Sequence, residues 1–489
     1  MANYRKQMGA LITGQMLSLL LGFMLPLILV RILSKHDYGL YAQFNVILSF
    51  CTTFFNFGFS SELYFSYPTA QEKEKRILVF QSFLMLMIAG IIASIILYIP
   101  IVKNYIISQG NFEELYFYLT CAVLVSVPEI LITALYVLNH DNKTSAFFLP
   151  IMTLFRVCLI FIFYKIDPSI KSVFSAILIS SIVKFLYVVG YTTTLINKNK
   201  GEQLINKKIL VSQIKYSIPL GFASSTRILI QQLDKLIILS FVSPSVYAIY
   251  SIAFYGVPGL AQVYLSISQV YIPRMATAYK ENNLAGVVSL YHSMVSKTLS
   301  YTIPIILIIM LFADPIIPFI FSNKYTDSVP YFQIYLLTFI IQSIGCGNIL
   351  RATGETRRSL MAYIYTAIIM FPLTYFAIKY YYLHGAIVAA TIGAILPKIL
   401  LSIYDAHSIK ASILAIYPWK NIFTIFAISL ICLLPFIGVF YWIGHENFWM
   451  TLVWISLYLG ITFSLQIYFN VFILNYSEIR AYIRKIIKK

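Results

Sequence analysis

The sequence predicts an all-α integral membrane protein with about 14 transmembrane helices. They divide into two six-helix lobes related by a parallel repeat, plus two extra C-terminal helices. Three observations carry this reading. Sixty per cent of the 489 residues are hydrophobic and only 11 % are charged, against roughly a quarter charged in soluble domains. Apolar runs of about 19–28 residues recur along the chain, each long enough to cross ~30 Å of hydrocarbon as a helix. Two short patterns return after about six such runs, an even number that preserves orientation in the membrane.

In order, the runs fall near 8–33, 39–61, 77–102, 115–138, 146–164, 170–195 and 214–241. They continue near 246–270, 298–322, 328–350, 359–380, 383–404, 421–443 and 448–474. The first is too long for a signal-peptide core and has no small-residue cleavage site after it, so it reads as a retained helix. Alternating strands of the porin kind are absent. The stretch 271–297 has helical spacing of apolar residues and reads as an interfacial helix or an extension of the eighth span.

The repeat sets LSKHDYGLYA at 33–42 against VSPSVYAIYS at 242–251, an offset of 209. It also sets LNHDNKTS at 138–145 against LRATGETR at 350–357, an offset of 212. The domains follow: 1–196 as an N-lobe, 197–213 as a cytoplasmic linker, and 214–405 as a C-lobe. Residues 421–474 are additional helices and 475–489 a basic cytoplasmic tail. Two lobes in this relation are a transporter plan, with the ligand path between them.

The formal charge of +18 would point to nucleic acid in a soluble protein. Here Lys and Arg concentrate on the side that holds both termini, so the positive-inside rule explains the basicity. Both termini are therefore expected in the cytoplasm, and no nucleic-acid partner is needed. The five cysteines lie in apolar runs without metal-ligand spacing. No Walker-type phosphate loop, HExxH or CxxC occurs, so neither nucleotide hydrolysis of that kind nor a metal site is indicated.

Charges inside the spans are costly, about 2.5–3.5 kcal/mol each on translocon scales. They need a wet cavity or a partner. Arg227, Gln231 and Asp234 fall at i, i+4 and i+7 of the seventh span and share a face. That face lines a cavity or ties the helix to a neighbour. Lys235 follows. Arg156 and Lys184 lie mid-span in consecutive helices, candidates for a cationic patch with Arg227, or for ion pairs with Glu129. Lys398 lies nearer the cytoplasmic end and Arg31 closes the first span. Glu129, Asp234 and Asp314 are the carboxylates that could hold a coupling ion, sodium or a proton, or neutralise a cation. Glu129 follows Pro128, which can open a helix turn. Tyr64, Phe65 and Tyr67 beside Glu62 flank the inner mouth.

At 29–34 the chain reads Leu-Val-Arg-Ile-Leu-Ser, and at 37–42 Asp-Tyr-Gly-Leu-Tyr-Ala. The seventh span carries Gln-Gln-Leu-Asp-Lys-Leu-Ile-Ile-Leu at 231–239, followed by Tyr-Ala-Ile-Tyr-Ser at 247–251 and Ile-Pro-Arg-Met-Ala at 272–276. In this order the segments resemble the Wzx-type polysaccharide flippases of the multidrug/oligosaccharidyl-lipid/polysaccharide exporter superfamily. The resemblance implies a two-lobe bundle like that of multidrug and toxic-compound extrusion transporters. It implies a polyprenyl-pyrophosphate-linked oligosaccharide as cargo, flipped to the outer leaflet of a bacterial inner membrane for O-antigen or capsule. It also implies membrane lipids and polysaccharide polymerase or assembly proteins as partners, and no cofactor beyond a coupling ion. A pyrophosphate crossing hydrocarbon needs cationic partners, with Arg suited to bidentate contact. Two other readings stand beside it: a cation-coupled drug or metabolite antiporter, and a membrane glycosyltransferase or polymerase. The short exterior loops weigh against the enzyme.

Overall fold

The computed structural model describes residues 17–18, 20–107, 113–139, 141–198, 203–257, 259–443, 448–469 and 471. All regular structure among them is helical. Ten helices in this set are long and apolar enough to cross a membrane. The chain is a multi-pass membrane protein. The expected first span contributes the shorter apolar helix α1, Leu20–Ile32.

Several helices start where the sequence supplies a cap. Ser34 opens α2 (Lys35–Phe54), its hydroxyl accepting from the Asp37 amide at 3.0 Å. Asn206 caps α10 (Lys207–Ile238) and Asn283 caps α13 (Leu284–Leu311). Gln71 and Glu74 form a capping box at the start of α4 (Glu72–Tyr98). The two segments of the longer repeat both open helices. Ser34 precedes α2, and Ser243 precedes α11 (Pro244–Ala253). Their paired tyrosines, Tyr38 and Tyr41 against Tyr247 and Tyr250, are all buried.

Several expected spans are broken rather than continuous. The second continues past α2 through a turn into α3 (Phe59–Ser66), with Phe57 and Gly58 at positive φ. The fourth splits at Ile130 into α6 (Tyr116–Glu129) and α7 (Leu131–Leu138), beside Pro128. The tenth splits between α15 (Val329–Ser343) and α16 (Asn348–Thr353), with Gly345 and Gly347 in the left-handed region. The eleventh and twelfth are one run, α17 (Thr356–Ser408), interrupted at Tyr382. The 271–297 stretch follows the second of its two expectations in part, as an extension of the eighth span. Its first part extends α12 (Leu260–Lys280), and its second opens α13. α12 stops at Lys280, Asn282 takes positive φ and Asn283 caps α13, so no separate interfacial helix forms.

The chain packs as two units. The first runs to Ala248 and includes Leu373–Ala386. In it α2, α4, α6 and α9 (Ile170–Lys198) pack together, with α8 (Asn142–Ile166) on α9. The helix α10, which the repeat assigns to the C-lobe, packs on α2, α3 and α4 of this unit. The second unit is Ile249–Pro372 with Ile387 onward. Its core centres on α13, which meets α12, α15 and the two C-terminal helices, α18 (Trp419–Ile443) and α19 (Phe448–Tyr468).

Candidate functional site

Three of the expected site residues come together in the first unit. Glu129 ends α6, and its side chain is only 4 % exposed. Lys184, halfway along α9, reaches it with Nζ 2.8 Å from Oε2. Arg156, midway along α8, donates from Nε to Ser180 Oγ at 3.1 Å and from Nη2 to Ser181 Oγ at 3.2 Å. Its guanidinium is close enough to act electrostatically on Glu129 and on Tyr41. Two cations and one carboxylate therefore share the space between α6, α8 and α9.

The local sequence explains the arrangement. Pro128 lies in the last turn of α6, which ends at Glu129. Ser180 and Ser181 are adjacent on α9 and fully buried. They give the guanidinium neutral acceptors that need no counter-charge. Lys184 sits one turn further along the same helix, on the same side. Lys184 is about a quarter exposed, whereas Glu129 lies behind it, with Oε1 buried and lacking a hydrogen-bond partner. The cluster carries one net positive charge. Ammonium and guanidinium groups are the side chains that pair with anions through charge-assisted hydrogen bonds.

The other expected residues lie elsewhere. Gln231 is exposed on α10, Asp234 is buried and Lys235 is half-buried. Asp234 is near enough to Tyr247 to act on it electrostatically. Arg227 lies on α10, and its side chain is outside the described residues. Arg31 is exposed at the end of α1, and Asp314 is exposed in the first turn of α14 (Ala313–Phe321). Lys398 is half-buried on α17, close enough to act on Asp405.

Two buried carboxylates escape the span-centred reading. Asp405, completely buried, accepts from the Gly347 amide at 2.6 Å and the Leu350 amide at 2.8 Å. It satisfies the amides freed by the break between α15 and α16. Ser402, Cys346 and Tyr417 form a hydrogen-bonded group in the same unit, with Ser402 Oγ 2.5 Å from the Tyr417 hydroxyl. The usable signal was Gly345-Cys346-Gly347 inside an apolar run, because two glycines there imply broken backbone that needs a partner. Glu62 is the second: it is 1 % exposed, on α3.

A family model described as "Polysaccharide biosynthesis protein" matches residues 28–330. No curated protein matches. Among solved structures, the chain is similar to "Lipid II flippase MurJ, inward closed conformation". The identity is 17 %, the TM-score 0.70, and the match covers 93 % of this chain and 98 % of that one. It is similar to an inward-facing multidrug resistance MATE family transporter of the MOP superfamily at 14 % identity and TM-score 0.63. That match covers 82 % of this chain and 98 % of the other. A eukaryotic MATE transporter, AtDTX14, matches at 13 % identity and TM-score 0.57, over 85 % and 97 % of the two chains. At these identities the likeness defines the fold, which is the MurJ and MATE fold.

Proposed function

We propose that this chain, which belongs to the polysaccharide biosynthesis protein family, is a flippase for polyprenyl-pyrophosphate-linked oligosaccharide. It works in the bacterial inner membrane, with both termini cytoplasmic, and serves O-antigen or capsule synthesis. The observation that carries the reading is the Arg156–Lys184 pair, set midway along two membrane helices with a single buried carboxylate behind it. A diphosphate brings two or more negative charges into a low-dielectric layer. Charge-assisted hydrogen bonds to ammonium and guanidinium groups offset that desolvation. The solved flippase of the same fold acts on lipid II, as its name states, which supports a lipid-linked cargo.

In this mechanism the diphosphate and first sugars enter from the cytoplasm and settle on Lys184 and Arg156. Arg227 is the third cation proposed for the path, with Gln231 as a polar neighbour and Lys235, Lys398 and Arg31 as further positive positions. The polyprenyl tail remains in lipid throughout. Alternating access then presents the head group outside. The partners proposed with it are the polymerase and assembly proteins that consume the exported unit. Glu129, Asp234 and Asp314 remain the carboxylates proposed for charge pairing or ion coupling.

Substitution tests the cluster. Arg156→Met and Lys184→Met each remove charged hydrogen bonds of about 1.5–3 kcal/mol, roughly 10–100-fold in affinity. Each should lower outward exposure of the lipid-linked sugar by at least about tenfold at equal protein level. Arg227→Ala should act likewise. Normal exposure in well-expressed R156M and K184M proteins would remove the cluster from the path. A cation-coupled antiporter is the second reading, favoured by the MATE transporters of the same fold.

A further inference from the structure

We propose that Glu62, Gln213, Ser82 and the Leu78 carbonyl form a binding site for a sodium-sized monovalent cation inside the first unit. The site stands on its own geometry; its role as the coupling cation rests on the flippase reading. Glu62 on α3 is 1 % exposed and its hydrogen-bond partners are neutral. Ser66 donates to Oε1 at 2.5 Å, and the Gln213 amide donates to Oε2 at 3.1 Å. A carboxylate taken out of water among neutral groups is costly unless it meets a cation or a proton. Glu129 has Lys184, Asp405 has backbone amides, and Asp314 is exposed. Glu62 has a hydroxyl and an amide.

The surrounding atoms are oxygen-rich. Gln213 Nε2 also lies 2.9 Å from Ser82 Oγ and 3.4 Å from the Leu78 carbonyl oxygen. Three acceptors thus crowd one amide group with two hydrogens. Gln213 is itself 1 % exposed, and its Oε1 is buried without a hydrogen-bond partner. The Ser217 hydroxyl, one turn further along α10, is likewise completely buried and unpartnered. Rotating the Gln213 amide by half a turn exchanges its nitrogen and oxygen. The nitrogen's place among the acceptors then passes to an oxygen. The carboxylate, the Ser82 hydroxyl, the Leu78 carbonyl and the Gln213 carbonyl become a hard oxygen donor set. One carboxylate among neutral oxygens carries a single negative charge, which matches a monovalent rather than a divalent ion. The donors come from α3, α4 and α10, so a bound cation fastens α10 to the helices before it.

The test uses the full chain, purified and held in lipid nanodiscs, with ²²Na⁺ in choline chloride as the probe. The wild type should bind it saturably. Glu62→Gln is nearly isosteric and should abolish saturable binding, while its melting temperature in choline stays at or above the wild-type value. Ser82→Ala removes one donor oxygen and should weaken binding by at least about tenfold. Absence of saturable sodium binding in the wild type, which is the result expected if Glu62 carries only a proton, overturns the proposal. Full binding by E62Q, or by S82A should E62Q fail to fold, overturns it too. Binding that depends on Glu62 in a chain that exposes no lipid-linked sugar upholds the site, and it is the flippase reading that then fails.

Discussion

Glu129 and Lys184 form an ion pair between α6 and α9, with the carboxylate buried and the ammonium a quarter exposed. Removing Glu129 takes the counter-charge from the partly exposed Lys184 ammonium and from the nearby Arg156 guanidinium, a loss of about 1.5–3 kcal/mol. Glu129→Ala should therefore lower the thermal melting point of the purified protein. Adding Lys184→Met to the same chain should recover part of that loss, because one of the two cations left without a counter-charge is then gone. A double variant less stable than E129A would show that the pair is not the stabilising contact. These residues were legible in the sequence because charge inside an apolar run is conspicuous. The choice between Lys184 and Arg156 as the partner of Glu129 was not, because it depends on where adjacent helices place their turns. Asp405 is inconspicuous for a related reason: it lies at the edge of an apolar run, and its partners, the Gly347 and Leu350 amides, lie more than fifty residues earlier. Asp405→Asn keeps one acceptor oxygen and replaces the other with a donor. It should destabilise the second unit by about 1–3 kcal/mol, read as a lower melting temperature. An unchanged melt would mean that the break between α15 and α16 holds without it.

At the scale of elements, the break between α2 and α3 explains why α10 sits where it does. Phe57 and Gly58 adopt φ of 43° and 78°, which leaves their backbone open to close approach. Gly221 of α10 fills that place: a side-chain carbon added to it would overlap the Phe57 backbone. Ser225 of α10 donates to the Phe54 carbonyl at 3.1 Å beside the same break. Gly221→Ala should accordingly cost about 1–3 kcal/mol through overpacking. Gly190→Ala, on α9 with open space around its position, should be neutral or raise stability by up to about 1 kcal/mol. Equal melting temperatures for the two variants would contradict the close contact. The all-helical character was readable from apolar run length. The breaks at Gly58, Ile130 and Gly345 were not, since hydropathy does not register a turn whose side chains stay apolar. The local clues were Pro128, in the last turn before one break, and the paired Gly345 and Gly347 at another.

At the scale of the whole molecule, the composition and the order of the apolar runs led to an all-helical membrane protein, and the MurJ and MATE fold agrees. The sequence segments that resemble polysaccharide flippases lie largely within residues 28–330, the part matched by the family model. The identity of the sugar was never legible, because recognition of a carbohydrate depends on a few side chains brought together from many helices. The central claim is that this chain carries a lipid-linked oligosaccharide across the membrane. The direct measurement is the sidedness of that lipid in cells with and without the protein, read by an enzyme added outside the inner membrane. The account predicts that without the protein the lipid-linked unit accumulates but is not reached from outside, and that restoring the protein restores access. Unchanged access in its absence would contradict the account and move the antiporter reading to first place.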